Sequence, residues 1–411
     1  MPLVLDAPAP VAERPPYAVP QAPFAAAIRG EVDIDRCSRC LYDATIPNIS
    51  FDDEGVCNYC RMLEQMDAEY PNDPVEGPRR LQAIVDQIKA EGRGKKYDVI
   101  VGVSGGCDSS YMIYQAKQLG LRPLAVHFDN TWNSTIATEN IHRVLKALDV
   151  DLYTYVVDNE EYDDIYRAFL EAGVPDVEAP TDIGLATVLY MAAAQHGIRY
   201  MLEGHSFRTE GVFPLGWLYF DGKYIQSVHK QFGKRPMKTY PNLWLHKFLW
   251  WTGVKKIKKI RPLYFMDYQK EQVKAFLESE LDWQWYGGHH LENRFTNFYH
   301  TYLLPTRFGI DSRIVGYAAQ VRSGHMCREA GEALLCEPGS YDPEIVELVQ
   351  KRLGYSADEF HHLMTMPKRR WTEFQTYKQT FERMRPLFKA MYKLDLVPKS
   401  FYVKYTSKNN I

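Results

Sequence analysis

The chain has 411 residues, of which 45% are hydrophobic and 25% are charged, and its formal net charge is −3. This composition is typical of a globular protein with two or three domains, and the net charge excludes a surface built throughout for binding nucleic acid. No apolar run approaches the roughly 20 residues needed to span a bilayer, and the N-terminus lacks the basic and apolar regions of an export signal. We therefore expect a cytoplasmic protein.

The N-terminal sequence predicts a tail followed by a metal module. Residues 1–30 are rich in Pro and Ala and are expected to be disordered. Residues 31–62 carry four cysteines in the pattern C-x2-C-x16-C-x2-C, with a hairpin turn expected at residues 52–55. This spacing predicts a tetrahedral, structural zinc site, and redox sensing or sulfur carriage by the same thiols is the alternative. The four predicted ligands are Cys37, Cys40, Cys57 and Cys60.

A helical linker is expected over residues 63–95, and a phosphate site follows it. The apolar run YDVIVGV predicts a buried strand that ends at a Gly-Gly turn, and a helix pattern begins just beyond Ser109. Such a turn brings backbone N–H groups and a helix N-terminus to an anion, and Asp108 is expected to hold Mg²⁺ against phosphate oxygens. Cys107 is expected to be a packed residue. The predicted site comprises Val103, Ser104, Gly105, Gly106, Asp108 and Ser109.

The segment resembles the SGGxDS motif of the PP-loop ATP pyrophosphatases. No Lys-Ser/Thr follows the glycines, which excludes the P-loop of kinases and GTPases. The resemblance implies an enzyme that splits ATP between its α and β phosphates, adenylates an oxygen of its substrate and releases pyrophosphate.

Strands alternate with amphipathic helices over residues 96–265, which predicts an α/β domain with a doubly wound parallel sheet. Ligands of such sheets bind outside the carboxyl ends of the strands, where polar residues accumulate in this sequence. The residues predicted to contact ATP there are His127, Phe128, Asp129, Gly204 and His205. Arg208 and Glu210 are predicted to contact the substrate.

Residues 222–260 form a basic and aromatic insertion. Eleven Lys or Arg and no Asp or Glu occur between residues 222 and 266, interleaved with several Trp, Tyr and Phe. RNA, an anionic membrane surface and a solvated or subunit-facing loop all remain open as interpretations. Near the end of this stretch, Lys259 and Arg261 are predicted to neutralise departing pyrophosphate.

The C-terminal region, residues 266–411, is predicted to be mostly helical. On a helix Glu292, Thr296 and His300 would share one face, which favours substrate contacts and a general base over structural packing or a second metal site. The predicted substrate contacts are His289, Asn293, Arg294 and His300. The predicted catalytic residues are Asp108, Lys259, Arg261, His290 and Glu292.

Several longer motifs resemble those of the N-acetyl sugar amidotransferases of bacterial lipopolysaccharide, O-antigen and flagellar-glycan biosynthesis. These motifs are FDDEGVCNYC, VGVSGGCDSS, PTDIGLA, LEGHSFRTEG, IRPLYFMDY and YGGHHLENRFTNFYH. The resemblance implies that ATP and ammonia convert the acetamido group of an activated, UDP-linked sugar into an acetamidino group. A proton acceptor for the attacking ammonia is then required, and His290 and Glu292 are the candidates.

The same resemblance implies a separate glutaminase subunit and a barrel-type subunit that channels ammonia, because Pro2 stands where an N-terminal-nucleophile glutaminase needs Cys. Two other functions remain open. A tRNA-modifying PP-loop enzyme, such as a sulfurtransferase or a lysidine-type synthetase, would share the ATP site and the cysteines. A non-catalytic nucleic-acid-binding zinc protein is disfavoured by Asp108 and the two serines, which binding alone does not require.

Overall fold

A sheet of five parallel strands organises the molecule. The computed structural model describes residues 23–288 and 291–407. The strands are β1 Val99–Gly102, β2 Pro123–Asp129, β3 Leu152–Val156, β4 Tyr200–Leu202 and β5 Lys258–Ile260. Their order is β3-β2-β1-β4-β5, with Val99 of β1 opposite both Pro123 and Tyr200. The predicted α/β class with a parallel sheet is therefore confirmed.

Within the described residues, three helices precede the sheet: α1 Pro23–Ile28, α2 Asn58–Glu69 and α3 Glu76–Glu91. The expectation of a disordered tail over residues 1–30 differs from the structure at its end, where Phe24 and Ala25 of α1 are buried against the cysteine module. Residues 1–22 lie outside the described part of the chain. The expected hairpin is present as a bridge between Phe51 and Cys57.

Crossover helices pack on both faces of the sheet. They are α4 Cys107–Gln118, α5 Thr135–Leu148, α6 Asn159–Ala172 and α7 Ala179–Gln195. Val99 and Val101 of β1 face the core formed with α3, α4 and α5, while Ile100 between them faces the core formed with α6 and α7. Successive strand side chains point to opposite faces, so both faces of β1 are apolar and covered.

The basic segment is part of the folded domain. It contains α8 Gly222–Phe232, α9 Leu245–Leu249, a π-helix at Trp250–Val254 and the edge strand β5. Two carboxylates of α6 hold the loop after α8: Glu161 accepts the backbone N–H groups of residues 238–240, and Asp164 accepts those of residues 234–235. The sequence predicted an insertion over residues 222–260, whereas the last three of these residues form β5 and complete the sheet.

Helices dominate the rest of the chain, as predicted. A 3-10 turn at Pro262–Phe265 leads to α10 Lys270–Leu281, and α11 Arg294–Phe298 continues into a π-helix at Tyr299–Phe308. The remaining helices are α12 Arg313–Arg322, α13 Arg328–Cys336, α14 Pro343–Leu353, α15 Ala357–Thr365, a 3-10 turn at Trp371–Glu373, α16 Lys378–Arg383, α17 Arg385–Lys393 and α18 Lys399–Thr406. Among the described helices, none combines the length and apolarity that crossing a membrane requires.

Candidate active site

The glycine turn lies at the carboxyl end of β1 and leads into α4. Gly105 adopts a φ of +82°, and a Cβ atom there would lie 2.1 Å from the backbone oxygen of Ala137 in α5. The indole N–H of Trp283 donates to the Gly105 carbonyl at 2.9 Å. Gly106 is the N-cap of α4 and gives the helix no side-chain cap. The uncapped N–H groups of the first turn therefore fit an anion at this point.

Gly105→Ala is expected to destabilise the protein strongly. The residue would combine a left-handed backbone with overlap against a backbone carbonyl, which together cost about 3–5 kcal/mol. Gly94→Ala is the matched control, because Gly94 has a φ of +75° but nothing within 4 Å of its added Cβ. The control is expected to lose only about 1 kcal/mol. Equal losses in denaturant unfolding would contradict the close approach of α5 to the turn.

Ser104 and Ser109 form hydrogen bonds with the backbone of the turn itself. Ser109 Oγ accepts from the Ser104 N–H at 3.3 Å and donates to the Gly106 carbonyl at 3.1 Å, while the Gly106 N–H donates to Ser104 Oγ at 3.2 Å. These contacts fix the shape of the turn. Donation of the two hydroxyls to a phosphate stays a prediction.

Asp108, in the first turn of α4, is paired with a lysine that the sequence analysis did not identify. Lys270 Nζ lies 3.0 Å from Asp108 Oδ2 and 3.6 Å from Glu210 Oε1, and the Tyr268 hydroxyl donates to Asp108 Oδ1. Burial alone would lower the pKa of Lys270, but the Asp108 and Glu210 carboxylates outweigh it and raise that pKa. Lys270 is therefore a cation held between two carboxylates.

The segment after β4 lies against the same cluster. A Cβ atom on Gly204 would lie 2.6 Å from the Asp108 carbonyl, so this glycine allows α4 to approach β4. His205 Nδ1 is 2.5 Å from Glu210 Oε2. Glu210 thus joins His205 to Lys270, and the predicted residues Asp108, His205 and Glu210 come together at the edge of the sheet.

Glu292 reaches this turn from the C-terminal region. Its Oε1 accepts from Ser104 Oγ at 3.3 Å, while Oε2 is buried without a hydrogen-bond partner among the described residues. Burial and the nearby Asp108 carboxylate raise the pKa of Glu292. A protonated or unpaired carboxyl beside the glycine turn is free to exchange a proton with a bound ligand.

The expected helical face of Glu292, Thr296 and His300 is not formed. Asn293 caps α11 by accepting the backbone N–H groups of Phe295 and Thr296, so Glu292 precedes the helix. The helix then changes to π geometry at Tyr299, which alters the spacing toward His300. The i, i+4 prediction was wrong because the cap and the π-helix interrupt the regular turn.

The other residues predicted to contact substrate differ in their surroundings. The Asn293 amide donates to Asn130 and Asn133, and His300 Nδ1 lies 3.0 Å from Ser312 Oγ. Arg294 is half-buried, and its backbone N–H donates to the Trp132 carbonyl. Asn293 therefore joins α11 to the loop after β2. His289 and His290 lie outside the described residues.

Arg208 is buried in a link between loops. Its guanidinium donates to the carbonyls of Tyr264 and Tyr70, each at 2.7 Å, and pairs with Asp67 at 2.8 Å. These partners engage the guanidinium within the fold, and its contact with a substrate stays a prediction. Arg208 connects the segment after β4 to α2.

Side chains at the end of β2 hold the neighbouring loops in place. His127 Nδ1 donates to the Val103 carbonyl at 2.8 Å, and His127 Nε2 accepts from the Asn133 amide at 2.9 Å. Burial lowers the pKa of His127, which favours this neutral ring. Phe128 points into the core against Gly184, and Asp129 accepts the Thr131 N–H at 2.8 Å. The side chains of His127 and Phe128 thus have structural contacts, and the contact of this strand end with ATP stays a prediction.

Lys259 and Arg261 lie at the carboxyl end of β5, where both pair with Glu203. Lys259 Nζ is 2.5 Å from Glu203 Oε1, and the Arg261 guanidinium is 3.0 Å from Oε2. Burial would raise the pKa of Glu203, but the two cations lower it to about 2. Lys259, Arg261 and Glu203 together carry one net positive charge, beside the carboxylates of Asp108 and Glu210.

The four predicted cysteines form a separate cluster away from the turn. Their four Sγ atoms all lie within 4.8 Å of one another, and two of the Sγ–Sγ distances are 3.8 Å. The backbone N–H groups of Arg39, Tyr42 and Cys57 donate to these sulfurs, and Arg322 of α12 donates to Cys60 Sγ at 3.2 Å. Four buried sulfurs with such donors fit a thiolate-bound metal ion with no open position.

Two tyrosines and a lysine of the site escaped the sequence analysis. Tyr268 and Lys270 contact Asp108 from about 160 positions further along the chain. The Tyr286 hydroxyl would lie 3.2 Å from a Cβ atom on Gly106. The sequence held two signals for them. The motif IRPLYFMDY ends at Tyr268, two positions before Lys270, and the motif YGGHHLENRFTNFYH begins at Tyr286.

Comparison with known proteins finds similarity to parts of the chain. Residues 292–387 match the model of the LPS biosynthesis protein WbpG-like, C-terminal domain. The tRNA-specific 2-thiouridylase MnmA of Pectobacterium carotovorum subsp. carotovorum (strain PC1) is 31% identical over 129 residues, covering 28% of this chain and 35% of that protein. The MnmA of Lysinibacillus sphaericus (strain C3-41) is 31% identical over 127 residues, covering 27% and 33%. The chain thus spans about a third of the length of these curated relatives.

Solved structures resemble the chain only loosely. NMN synthetase from Francisella tularensis has a TM-score of 0.30 at 14% identity and covers 71% of this chain and 98% of its own. The NH3-dependent NAD synthetase from Campylobacter jejuni subsp. jejuni has a TM-score of 0.29 at 12% identity, with the same coverage. Because these superpositions are loose, the fold class is assigned from the observed parallel sheet alone.

Proposed function

We propose that this chain, which carries a WbpG-like C-terminal domain at residues 292–387, is an ATP-dependent amidotransferase that acts on an acetamido sugar. The observation that carries the proposal is the glycine turn with Asp108, Lys270 and Glu292 gathered over it. The description of the matched family as a lipopolysaccharide biosynthesis domain supports a sugar substrate, and the motif resemblance supports an acetamido group on a nucleotide-linked sugar.

The proposed reaction replaces the acetamido oxygen with nitrogen. The carbonyl oxygen bonds to the α-phosphorus of ATP, and the bond to the bridging oxygen breaks so that pyrophosphate leaves. Ammonia then adds to the amide carbon, a proton passes to a base, and the carbon–oxygen bond breaks to release AMP. The products are an acetamidino sugar, AMP and pyrophosphate. Adenylation turns a poor leaving oxygen into a good one.

The residues of the site suit the binding part of this chemistry. The N–H groups at the start of α4 would receive phosphate oxygens, and Val103, Asp129 and the backbone of β2 would border the nucleoside. Lys270 lies beside the turn and would balance phosphate charge, while Lys259 and Arg261 would receive pyrophosphate in exchange for Glu203. Fixed cations of this kind act on charge that develops in the transition state.

Asp108 is the candidate ligand of Mg²⁺. It offers carboxylate oxygens beside the uncapped end of α4, which fits a cation that is also bound to phosphate. Bound Mg²⁺ would supply neutralisation of phosphate charge. For the cysteine cluster we propose Zn²⁺ in a structural role.

Glu292 is the proposed proton acceptor, and its replacement by Gln is expected to change the pH profile. The raised pKa keeps the carboxyl protonated at low pH, so kcat/KM of the wild type should rise as the pH passes through that pKa. Glu292→Gln should lose about 10²–10³ of kcat and this pH dependence.

Stability provides an independent readout of the same carboxyl. A raised pKa means that the folded state holds the proton more tightly, so the wild type should lose stability relative to Glu292→Gln as the pH rises through it. Parallel stability curves for the two proteins across this range would contradict the buried carboxyl. For the kinetic prediction, an unchanged kcat in Glu292→Gln would mean that another residue is the proton acceptor.

The ammonia is proposed to come from a separate glutaminase subunit through a barrel-type channelling subunit. Accordingly, ammonium should support turnover of the purified chain, whereas glutamine should not. Equal turnover with glutamine would contradict this part of the proposal.

Product analysis tests the proposed function. The chain is incubated with ATP, Mg²⁺, ammonium and candidate UDP-linked acetamido sugars, and nucleotides and sugars are identified by mass spectrometry. We expect AMP and pyrophosphate together with a sugar in which NH replaces O. Formation of ADP would overturn the proposal.

A tRNA-thiolating activity is the second candidate, favoured by the similarity to the MnmA proteins. The thiol within the turn counts against it. Cys107 is buried, and burial raises the pKa of its thiol to about 12, which leaves it a poor nucleophile. Stimulation of AMP release by tRNA, with none by acetamido sugars, would favour this candidate instead.

A further inference from the structure

Two elements outside the candidate active site expose large apolar side chains. Eight such side chains are strongly exposed in the described part of the chain, and four of them belong to these elements. They are Trp250 at 53%, Val254 at 57%, Leu387 at 46% and Leu394 at 65% of full exposure. The first two lie on the π-helix after α9, and the others on α17 and directly after it.

The π-helix is anchored on one side and open on the other. Trp251 is buried and stacks on Tyr190 at 5.5 Å, and the Thr252 hydroxyl donates to the Phe248 carbonyl at 2.7 Å. A Cβ atom on Gly253 would meet nothing within 4 Å. A rigid base therefore presents Trp250 and Val254 to solvent.

Phe401 of α18 brings the two elements together. Its ring centroid lies 5.1 Å from that of Phe248 in α9 and 5.5 Å from that of Phe388 in α17. The two elements that carry the exposed apolar side chains therefore meet through one half-buried ring. We call this surface the α9–α17 surface, comprising residues 246–256 and 383–394.

Cations surround these apolar side chains. The exposed ones are Lys247, Lys255, Lys256, Arg383, Arg385, Lys389 and Lys393. Neither residues 246–256 nor α17 contains Asp or Glu, although the chain as a whole has a net charge of −3. A cleft of about 610 Å³ extends this positively charged surface, because Lys230, Lys238 and Lys247 line it and no Asp or Glu does.

We propose that the α9–α17 surface docks on an anionic lipid bilayer. Lysines and arginines near such a surface each gain roughly 1 kcal/mol from anionic lipids, and Trp and Leu enter the headgroup boundary. Single-stranded RNA would use stacking platforms, whereas Val254, Leu387 and Leu394 have no ring with which to stack. The combination of aliphatic side chains with clustered cations favours lipid.

Vesicle sedimentation tests this docking. The full chain is mixed with vesicles of phosphatidylcholine alone or of equal parts phosphatidylcholine and phosphatidylglycerol. We expect binding to the anionic vesicles only, with Lys255→Gln/Lys256→Gln weakening it about thirtyfold. Trp250→Ser/Leu394→Ser should also weaken it, and because these variants keep every cation, the ratio of wild-type to variant affinity should not change when the salt concentration is lowered.

Matched variants separate docking from general effects. Lys146→Gln removes an exposed cation of α5, and Val75→Ser removes an exposed apolar side chain before α3. Both controls should bind like the wild type, and thermal unfolding should show that all variants fold. Equal binding to neutral vesicles, equal loss in the controls, or binding to tRNA without binding to vesicles would each overturn the proposal. Turnover with ammonium in the absence of vesicles should be unchanged in the surface variants.

Discussion

Cys57→Ser is expected to unfold the metal module and release its metal. A serine hydroxyl is a poor ligand for a thiolate site, and structural zinc contributes about 10–16 kcal/mol of apparent folding free energy to small modules. The C-terminal helices depend on this module, because Arg322 donates to Cys60 Sγ and Arg328 donates to the Cys37 carbonyl at 2.9 Å. We therefore expect metal content to fall from one ion per chain to none, with proteolytic cleavage appearing in residues 31–62.

Two cysteines outside the cluster provide the control for this experiment. Cys327 is exposed and Cys336 is half-buried, and neither belongs to the metal cluster. Cys327→Ser and Cys336→Ser should keep the metal and resist protease like the wild type. A metal-free wild type with two disulfides, or a Cys57→Ser variant with full metal content, would contradict a structural metal centre.

Lys270→Met is expected to abolish most of the activity. The substitution removes the cation between the Asp108 and Glu210 carboxylates and leaves both partly buried charges uncompensated. Loss of a fixed cation beside a phosphate site costs about 10²–10³ in kcat. Release of AMP and pyrophosphate is the measurement, with nucleotide binding followed separately.

Lys274→Met is the matched control, one turn further along α10. Lys274 pairs at 2.7 Å with the exposed Glu271 and lies over the ring of Trp285. This variant should retain nearly full turnover. Lys270→Arg should recover part of the activity, since it restores the charge with a different geometry. Full activity in Lys270→Met would remove this lysine from the proposed site.

Local sequence signals were enough for the centre of the sheet. YDVIVGV and RPLAVHF are continuous apolar runs, and each became a buried strand within two residues of the predicted bounds. β5 was missed because Lys258-Lys259-Ile260 is short, charged and half-buried at the edge of the sheet, so that neither hydrophobicity nor alternation marks it.

The site was predictable where its residues directly follow the ends of strands, as at residues 103–109 and 204–210. The turn at residues 103–109 carries its own signal, since strand, glycines and helix follow one another directly. The partners of Asp108 do not, because Tyr268 and Lys270 approach it through tertiary packing alone. The helical spacing around Glu292 misled for a physical reason: the Asn293 side chain starts a new helix and leaves the glutamate before it.

Oxygen transfer into AMP tests the central claim most directly. An acetamido sugar labelled with oxygen-18 in its amide carbonyl is turned over with unlabelled ATP and ammonium, and the products are analysed by mass spectrometry. If the carbonyl oxygen attacks the α-phosphorus, one labelled oxygen appears in AMP and none appears in pyrophosphate. Unlabelled AMP, or label retained in the sugar product, would contradict adenylation of the acetamido oxygen at this glycine turn.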